Sequence, residues 1–180
     1  MEDRWVQILS AVSTAAAAGL ALFFGTIPLV QRRSTEKTLA NLHAARIHPQ
    51  IKNLLAEVNA VIPGLAFYDD SRVENGFELG AGIAKLNILC VNINNYSLDA
   101  IVSLPSNCAN NLAHAIGLIQ VAAAESAITN ANIDWWKLPK EFRLKNVESW
   151  RVLILRAATL LESGERVLAQ RVKLTVSDNP

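Results

Sequence analysis

The chain has 180 residues, of which 51% are hydrophobic and 18% are charged, and its mean hydropathy is +0.22. This balance excludes a disordered or collagen-like chain, and it is more apolar than is usual for a soluble domain of this length, which indicates that part of the chain meets lipid. Seventeen Lys and Arg residues nearly balance sixteen Asp and Glu residues, so the net charge of +1 gives no strong nucleic-acid signal.

The N-terminal segment accounts for much of the apolar excess. No residue from Trp5 to Val30 is charged, and a helix of that length, at about 1.5 Å per residue, exceeds a hydrocarbon core of about 30 Å. The alternative is a cleavable signal peptide with its cleavage site among the alanines at 15–18, but the flank at residues 1–4 is acidic on balance and the apolar run is long. The sequence therefore predicts a transmembrane helix over residues 5–30.

Basic residues beside this segment predict its orientation. One basic residue precedes it and four follow it: Arg4, and then Arg32, Arg33, Lys37 and Arg46. By the positive-inside rule, residues 1–4 form a short external N-terminus and residues 31–180 form a cytosolic domain. We therefore expect a single-pass protein of the cell (inner) membrane.

Small residues recur at every fourth position of the predicted transmembrane helix, along two lines. The residues of the two lines are Ala11, Ala15 and Gly19, and Ala17, Ala21 and Gly25. Such spacing lets helices approach closely in lipid, so it favours a homo-oligomer. An alanine-rich span also produces this pattern by chance, and both interpretations stay open.

The first part of the cytosolic domain predicts two helices separated by a proline. A helix begins near Ser34, and Pro49 predicts a break or restart because the residue before a proline is biased away from the α region. Apolar residues at helical spacing then predict an amphipathic helix that ends at Pro63. Residues 64–80 are rich in Asp, Asn and Gly and predict a loop or irregular stretch.

The middle of the chain fits two structures. Apolar residues from Leu79 to Ile93 fit one face of a helix, whereas a short β-pair within residues 86–104 is the alternative; the helix is favoured. A clearer helix follows, with Ser106 or Asn107 as its cap, and ends at residues 130–132.

The last helix has the most regular apolar spacing, from Trp150 to Leu168, and follows a connector that contains Trp135 and Trp136. The soluble part thus contains three or four helices. The predicted fold class is all-α: one transmembrane helix followed by a small cytosolic helical bundle.

Patterns typical of catalytic or metal sites are missing from the sequence. The histidines and cysteines do not have metal-ligand spacing: His43, His48, His114, Cys90 and Cys108. The glycines at 76–82 do not form a phosphate or dinucleotide loop, no nucleophile elbow occurs, and Asp69-Asp70 is typical of a solvated turn. We predict reduced, buried cysteines, no metal, no cofactor and no catalytic residue.

The C-terminal third is basic. Nine basic and four acidic residues lie between Trp135 and Lys173. In one interpretation these charges form the exposed faces of a helix, and the two tryptophans belong to the core. In the other, a patch binds an anion such as a phosphate, a stacked nucleotide base or a lipid head group. The predicted patch consists of Trp135, Trp136, Lys137, Arg143, Lys145 and Arg151.

The predicted layout is a membrane helix that carries a compact cytosolic domain. In this layout the chain is similar to small bacterial membrane effectors of phage defence. The primary prediction is a membrane-anchored, non-enzymatic interaction or scaffold domain that binds an unknown protein partner. The alternative, which the resemblance implies, is a ligand-gated effector of antiviral defence that senses an anionic ligand and perturbs the bilayer by oligomerising.

Overall fold

The computed structural model of the chain describes residues 35–70, 73–94, 98–132 and 135–177. The chain divides into residues 1–39, of which only 35–39 are described, and a second compact unit, residues 40–180. The predicted transmembrane helix over 5–30, with its two lines of small residues, lies outside the described residues. Within the part of the chain that the structure describes, no helix is both long and apolar enough to cross a bilayer.

The described residues form an all-helical bundle. Helix α1 covers residues 35–66, α2 covers Val73–Asn94, α3 covers Cys108–Asn132 and α4 covers Lys140–Ser177. Two short 3-10 helices lie in the connections of the described chain, Leu98–Ile101 and Trp135–Lys137. The prediction of a helical bundle is therefore confirmed.

Contacts between helices give the order of the bundle. The C-terminal half of α1 lies against α2, because the Lys85 ammonium is 2.7 Å from the Glu57 carboxylate. Helix α3 packs against both α2 and α4. Helix α4 returns to α1, where Nε2 of His48 lies 2.9 Å from Oε1 of Glu165. The four described helices thus pack in cyclic order, each antiparallel to its neighbours, as in an up-down-up-down bundle.

The core consists of aliphatic side chains at positions three and four residues apart on each helix. The largest fully buried ones are Ile47, Ile51, Leu54, Ile83, Leu86, Ile93, Ile101, Leu112, Ile119, Ile154, Leu161 and Leu168. Burying one such side chain stabilises a fold by about 1.5–3 kcal/mol relative to leaving it exposed. This apolar periodicity is the reason why these segments are helical.

The predicted break at Pro49 is wrong, because α1 is helical on both sides of it. Pro49 removes one helical hydrogen bond and costs about 3 kcal/mol in an isolated helix. Ile47 and Ile51, on either side, are both fully buried, so packing of one continuous face offsets that cost. Pro63 does not end the helix either; its carbonyl accepts a hydrogen bond from the amide of Phe67 at 2.9 Å.

Two predictions for the middle of the chain are also corrected. Residues 73–80 belong to α2 rather than to a loop, and the glycines at 76–82 lie within this helix. The alternative β-pair within residues 86–104 is wrong for the described residues, since 86–94 are α-helical and 98–101 form a 3-10 turn. The favoured helix over Leu79–Ile93 is confirmed, and its buried face carries Leu86 and Cys90.

The turn before α3 has an unusual backbone. Ser106 and Asn107 have φ angles of 60° and 52°, in the left-handed region, which asparagine tolerates better than most residues. The carbonyl of Asn107 accepts the amide of Asn111 at 2.9 Å, so Asn107 begins the helix as one of the two predicted caps. The side chain of Asn111 also donates to the carbonyl of Ser106 at 3.4 Å and holds the turn.

Helices α3 and α4 approach closely at Gly164. A Cβ added to this glycine would lie 2.5 Å from Cδ2 of Leu112, well inside van der Waals contact. The Cys108 thiol donates a weak hydrogen bond to the Gly164 carbonyl at 3.5 Å. A glycine is needed here because Leu112 occupies the space that a side chain would fill.

Candidate functional site

A partly buried polar cluster lies at one end of the bundle. The guanidinium of Arg143, at the start of α4, donates two hydrogen bonds to Asp70, from Nε to Oδ1 at 2.8 Å and from Nη2 to Oδ2 at 2.6 Å. Its third nitrogen donates to the carbonyl of Leu138 at 2.6 Å. The Tyr68 hydroxyl donates to Oδ1 of Asp70 at 3.3 Å and accepts the Trp135 indole N–H at 3.1 Å. We call Tyr68, Asp70, Trp135 and Arg143 the polar cluster.

The ion pair in the polar cluster is shielded from water, with only 11% of the Arg143 side chain and 7% of the Asp70 side chain exposed. Hydrogen bonds from Arg143 lower the pKa of Asp70 below its ordinary value, against the opposing effect of burial. Burial raises the pKa of Tyr68 above its ordinary value. Both shifts favour a neutral tyrosine and a charged carboxylate, the protonation states that the hydrogen bonds require.

Trp135 joins the polar cluster to the hydrophobic core. Its ring is buried and stacks on Trp150 of α4, with the ring centroids 5.6 Å apart and the planes 26° from parallel. Such pairs stabilise by about 0.5–1.5 kcal/mol beyond the area that they bury. Trp135 therefore has the core position that was one of its two predicted roles.

The structure places the members of the predicted anion patch in different environments. Trp135 and Arg143 come together, but around Asp70. Arg151 pairs with Glu148 on the same helix at 2.7 Å. The side chains of Lys137 and Lys145 are exposed, and the side chain of Trp136 lies outside the described part. Anion binding by these residues stays a prediction, and Arg143 has most of its donors committed within the fold.

Sequence reasoning missed Asp70 and Tyr68. The pair Asp69-Asp70 predicts a solvated turn, yet the Asp70 carboxylate is buried by the start of α4, 73 residues away. The one signal in the sequence is an acidic residue two positions from a tyrosine in a short connection, which is too common to identify an ion pair. Only the return of α4 to α1 brings the two partners together.

The two cysteines are buried, as the sequence predicts. Cys90 and Cys108 are free and buried, and burial raises their thiol pKa values to about 12 and about 11. His48 contacts Glu165. Over residues 35–70, 73–94, 98–132 and 135–177, no three His, Cys, Asp or Glu side chains are grouped so that they could hold a metal ion.

A groove lies between α1 and α2. Its volume is about 440 Å³. The lining is mostly small or apolar, with three charged residues at the edges, Glu57, Glu78 and Lys85. The other lining residues are Ala60, Val61, Pro63, Gly64, Phe67, Leu79 and Gly82. We call this surface the α1–α2 groove.

Two features shape the α1–α2 groove. Gly64 and Gly82 keep it open, since a Cβ on Gly82 would lie 3.1 Å from Cγ2 of Val61 and one on Gly64 would lie 3.8 Å from Leu79. Phe67 is 84% exposed, the most exposed of the large apolar side chains in the described chain. Lys85 neutralises the charge of Glu57. Glu78 is the other acidic residue at the edge of the groove, and Lys85 does not pair with it.

Comparison of the chain with protein-family models, with curated proteins and with solved structures finds no match.

Proposed function

We propose that this chain is a membrane-anchored, non-enzymatic interaction module that binds a protein partner in the α1–α2 groove. The observation that supports the proposal most is the exposed Phe67 at the edge of an apolar groove between two antiparallel helices. An exposed phenylalanine beside an apolar groove extends the apolar surface that a partner can bury, and interfaces are enriched in aromatic residues.

The chemistry of the groove defines the partner segment. An apolar floor between two helices suits the apolar face of an amphipathic helix, which is a recurrent mode of peptide recognition. The edge residue Glu78 favours a basic residue beside the apolar face of that segment. The partner is therefore an amphipathic helix whose apolar residues cover Phe67 and Val61 and whose Lys or Arg lies near Glu78.

The membrane anchor in this proposal is the uncharged segment 5–30. Its length, its acidic N-terminal flank and the basic residues that follow it support a single pass with the N-terminus outside and residues 31–180 in the cytosol. An anchor of this kind would hold the groove close to the inner surface of the cell (inner) membrane, where it recruits the partner.

The alternative is an effector of antiviral defence that senses an anionic ligand and perturbs the bilayer. Its sensing site would be the basic patch around Arg143. That guanidinium already donates to both oxygens of Asp70 and to the Leu138 carbonyl, so an anion would have to displace a buried ion pair. This geometry favours the interaction module over the effector.

Site-specific photo-crosslinking of the full chain in the membranes of its own cells tests the proposal. A benzoylphenylalanine in place of Phe67 should form one discrete adduct, and the same group in place of the exposed Arg156 on α4 should not. Gly64→Leu fills the groove and should abolish the adduct, whereas Ala56→Leu, on the exposed surface of α1 outside the groove, should leave it unchanged. Equal adducts at positions 67 and 156, or an adduct insensitive to Gly64→Leu, would contradict the proposal.

A further inference from the structure

Helix α1 extends past α2 at one end of the bundle. Helix α2 ends at Asn94, nine residues after Lys85. The Lys85 ammonium contacts the Glu57 carboxylate of α1, and His48 precedes Glu57 by nine residues. Because α1 and α2 are antiparallel, the end of α2 is level with His48, and the residues of α1 before His48 lie beyond it.

Helix α3 begins at the same level. The thiol of Cys108, its first residue, donates to the carbonyl of Gly164 on α4. The next residue of α4, Glu165, contacts His48. Beyond this level α1 and α4 continue for about 13 Å, at about 1.5 Å per residue. We call residues 40–47 of α1 and 166–174 of α4 the basic end.

The charged side chains of the basic end are all positive. It contains no Asp or Glu, and its Lys and Arg residues are Arg46, Arg166, Arg171 and Lys173. In the connection that joins α2 to α3 at this end, residues 98–107 add one acidic residue, Asp99, which leaves a net charge of +3. The opposite end of the bundle, residues 67–70 and 137–145, has four basic and three acidic residues and a net charge of +1. The positive surplus is therefore concentrated at one end.

Apolar side chains are exposed at the same end. Leu42 and Leu174 of the basic end are 59% and 49% exposed, and Val102 of the neighbouring connection is 63% exposed. Protein surfaces that lie on a membrane combine basic residues with exposed apolar side chains, which enter the boundary between head groups and acyl chains. The composition of this end therefore fits an anionic lipid surface.

We propose that the basic end lies on the anionic head groups of the cytoplasmic leaflet. This inference rests on the proposed function, in which residues 5–30 anchor the chain. The ten residues from Val30 to Ala40 can span at most about 36 Å, so the anchor keeps the basic end beside the membrane at a high local concentration. Each Lys or Arg near an anionic surface strengthens the attachment about fivefold. The attraction fades within about 10 Å at 0.1 M salt.

Lipid contact at the basic end orients the bundle on the membrane. Gly64 of the α1–α2 groove lies 18 residues from Arg46 along α1, which is about 27 Å. The polar cluster is farther away, because Arg143 lies 28 residues from Arg171 along α4, about 42 Å. The bundle thus stands on its basic end, and the groove stays open to the cytosol, where a partner can reach it.

Quenching of a fluorophore by nitroxide-labelled head groups tests this contact in the full chain in nanodiscs. The fluorophore is attached at Gln170→Cys, an exposed position of the basic end, or at Leu144→Cys, an exposed position of α4 near the opposite end. Native Cys90 and Cys108 are buried and leave the labelling background low. In discs with about a third anionic lipid, position 170 should be quenched at least threefold more than position 144. In discs of neutral lipid alone, quenching at position 170 should fall at least twofold.

Charge reversal separates attraction to lipid from proximity to the anchor. Arg166→Glu combined with Lys173→Glu should reduce quenching at position 170 at least threefold in anionic discs, with unchanged helical circular dichroism. Lys140→Glu combined with Lys145→Glu, at exposed positions near the opposite end of α4, is the matched control and should leave the quenching unchanged. Equal quenching in anionic and neutral discs, or equal effects of the two charge reversals, would overturn the proposal.

Carbonate extraction of membranes that contain the full chain distinguishes this proposal from the proposed function. If the chain stays in the membrane and position 170 is not quenched, the lipid contact is wrong and the anchor stands. If carbonate removes the chain, the anchor and the lipid contact are both wrong. If position 170 is quenched but no adduct forms at position 67, the lipid contact stands and the proposed partner is wrong.

Discussion

The guanidinium of Arg143 holds both carboxylate oxygens of Asp70, at 2.8 and 2.6 Å. This pair fastens the connection after α1 to the start of α4, which are far apart in the sequence. At the opposite end of the bundle, His48 of α1 contacts Glu165 of α4. Polar side chains thus join the first and last described helices at two separate places.

Asp70→Asn should destabilise the bundle, because it leaves the Arg143 charge without its counter-ion in a shielded site. We expect the thermal unfolding midpoint to fall by roughly 5–10 °C at pH 7. Asp99→Asn, at an exposed acidic residue, is the matched control and should change the midpoint by less than about 2 °C. Equal effects of the two substitutions would show that the ion pair does not stabilise the fold.

The same pair predicts a dependence on pH. The pKa of Asp70 is lowered from 3.8, chiefly by its hydrogen bonds from Arg143, so the unfolded chain takes up a proton at a higher pH than the folded chain. The stabilisation is therefore complete above about pH 5 and is lost as the pH falls through 3.8 toward the lower folded pKa. Urea unfolding at pH 7, 5, 4 and 3 should show a steeper loss of free energy for the wild type than for Asp70→Asn.

Trp135→Phe should keep the stack on Trp150 but lose the hydrogen bond from the indole N–H to the Tyr68 hydroxyl. We expect a loss of about 1 kcal/mol in the free energy of unfolding. Tyr68→Phe removes the other partner, and combining the two substitutions should cost less than the sum of the single losses. Additive losses in this double-mutant cycle, measured by urea unfolding, would show that the hydrogen bond contributes nothing.

Gly164→Ala should destabilise the contact between α3 and α4, since the new methyl group would lie 2.5 Å from Cδ2 of Leu112. Overpacking of this kind costs about 1–3 kcal/mol. In a chain that already carries Leu112→Ala, the clashing side chain is truncated, so Gly164→Ala should lower the free energy of unfolding by less. Gly117→Ala is the control, because its methyl group meets open space, and it should stabilise the fold by up to about 1 kcal/mol. Chemical unfolding of Gly164→Ala, Leu112→Ala, their combination and Gly117→Ala is the measurement. The free energy of unfolding should fall for Gly164→Ala and should not fall for Gly117→Ala.

The native cysteines should resist modification in the folded protein. Burial raises the thiol pKa values of Cys90 and Cys108 to about 12 and about 11, so the thiolate fraction at pH 8 is very small. A maleimide should therefore modify neither residue in hours at pH 8 and should modify both within minutes in 6 M guanidinium. Rapid labelling of the folded chain would contradict the buried positions.

The fold class was predictable from the sequence because apolar spacing is a local property. Leu79, Leu86 and Cys90 repeat at helical intervals, and the structure buries them on one face of α2. Proline and glycine misled the prediction of the boundaries. Local rules break a helix at Pro49 and predict a loop over residues 64–80. The buried face formed by Ile47 and Ile51 overrides the first preference, and helix α2, with Leu79 and Ile83 buried, replaces part of the predicted loop.

The candidate site was less predictable, because its parts come from distant segments. The basic surplus is visible in the sequence, yet the partner of Arg143 is a carboxylate of a different connection. Phe67 shows no special pattern in the sequence, and its exposure becomes evident only when α1 and α2 pack. Gly117 and Gly164 look alike from sequence, whereas only Gly164 lies where a side chain would clash, with Leu112.

The central claim is that the helical domain faces the cytosol and that a partner covers the α1–α2 groove there. The most direct measurement is the rate at which a membrane-permeant maleimide labels Phe67→Cys in intact cells, compared with the purified chain and with Arg156→Cys. We predict that Arg156→Cys reacts equally fast in both settings, that Phe67→Cys reacts at least fivefold more slowly in cells, and that an impermeant maleimide labels neither in cells. Equal rates for Phe67→Cys in cells and in the purified chain, or labelling of either cysteine by the impermeant reagent, would contradict the claim.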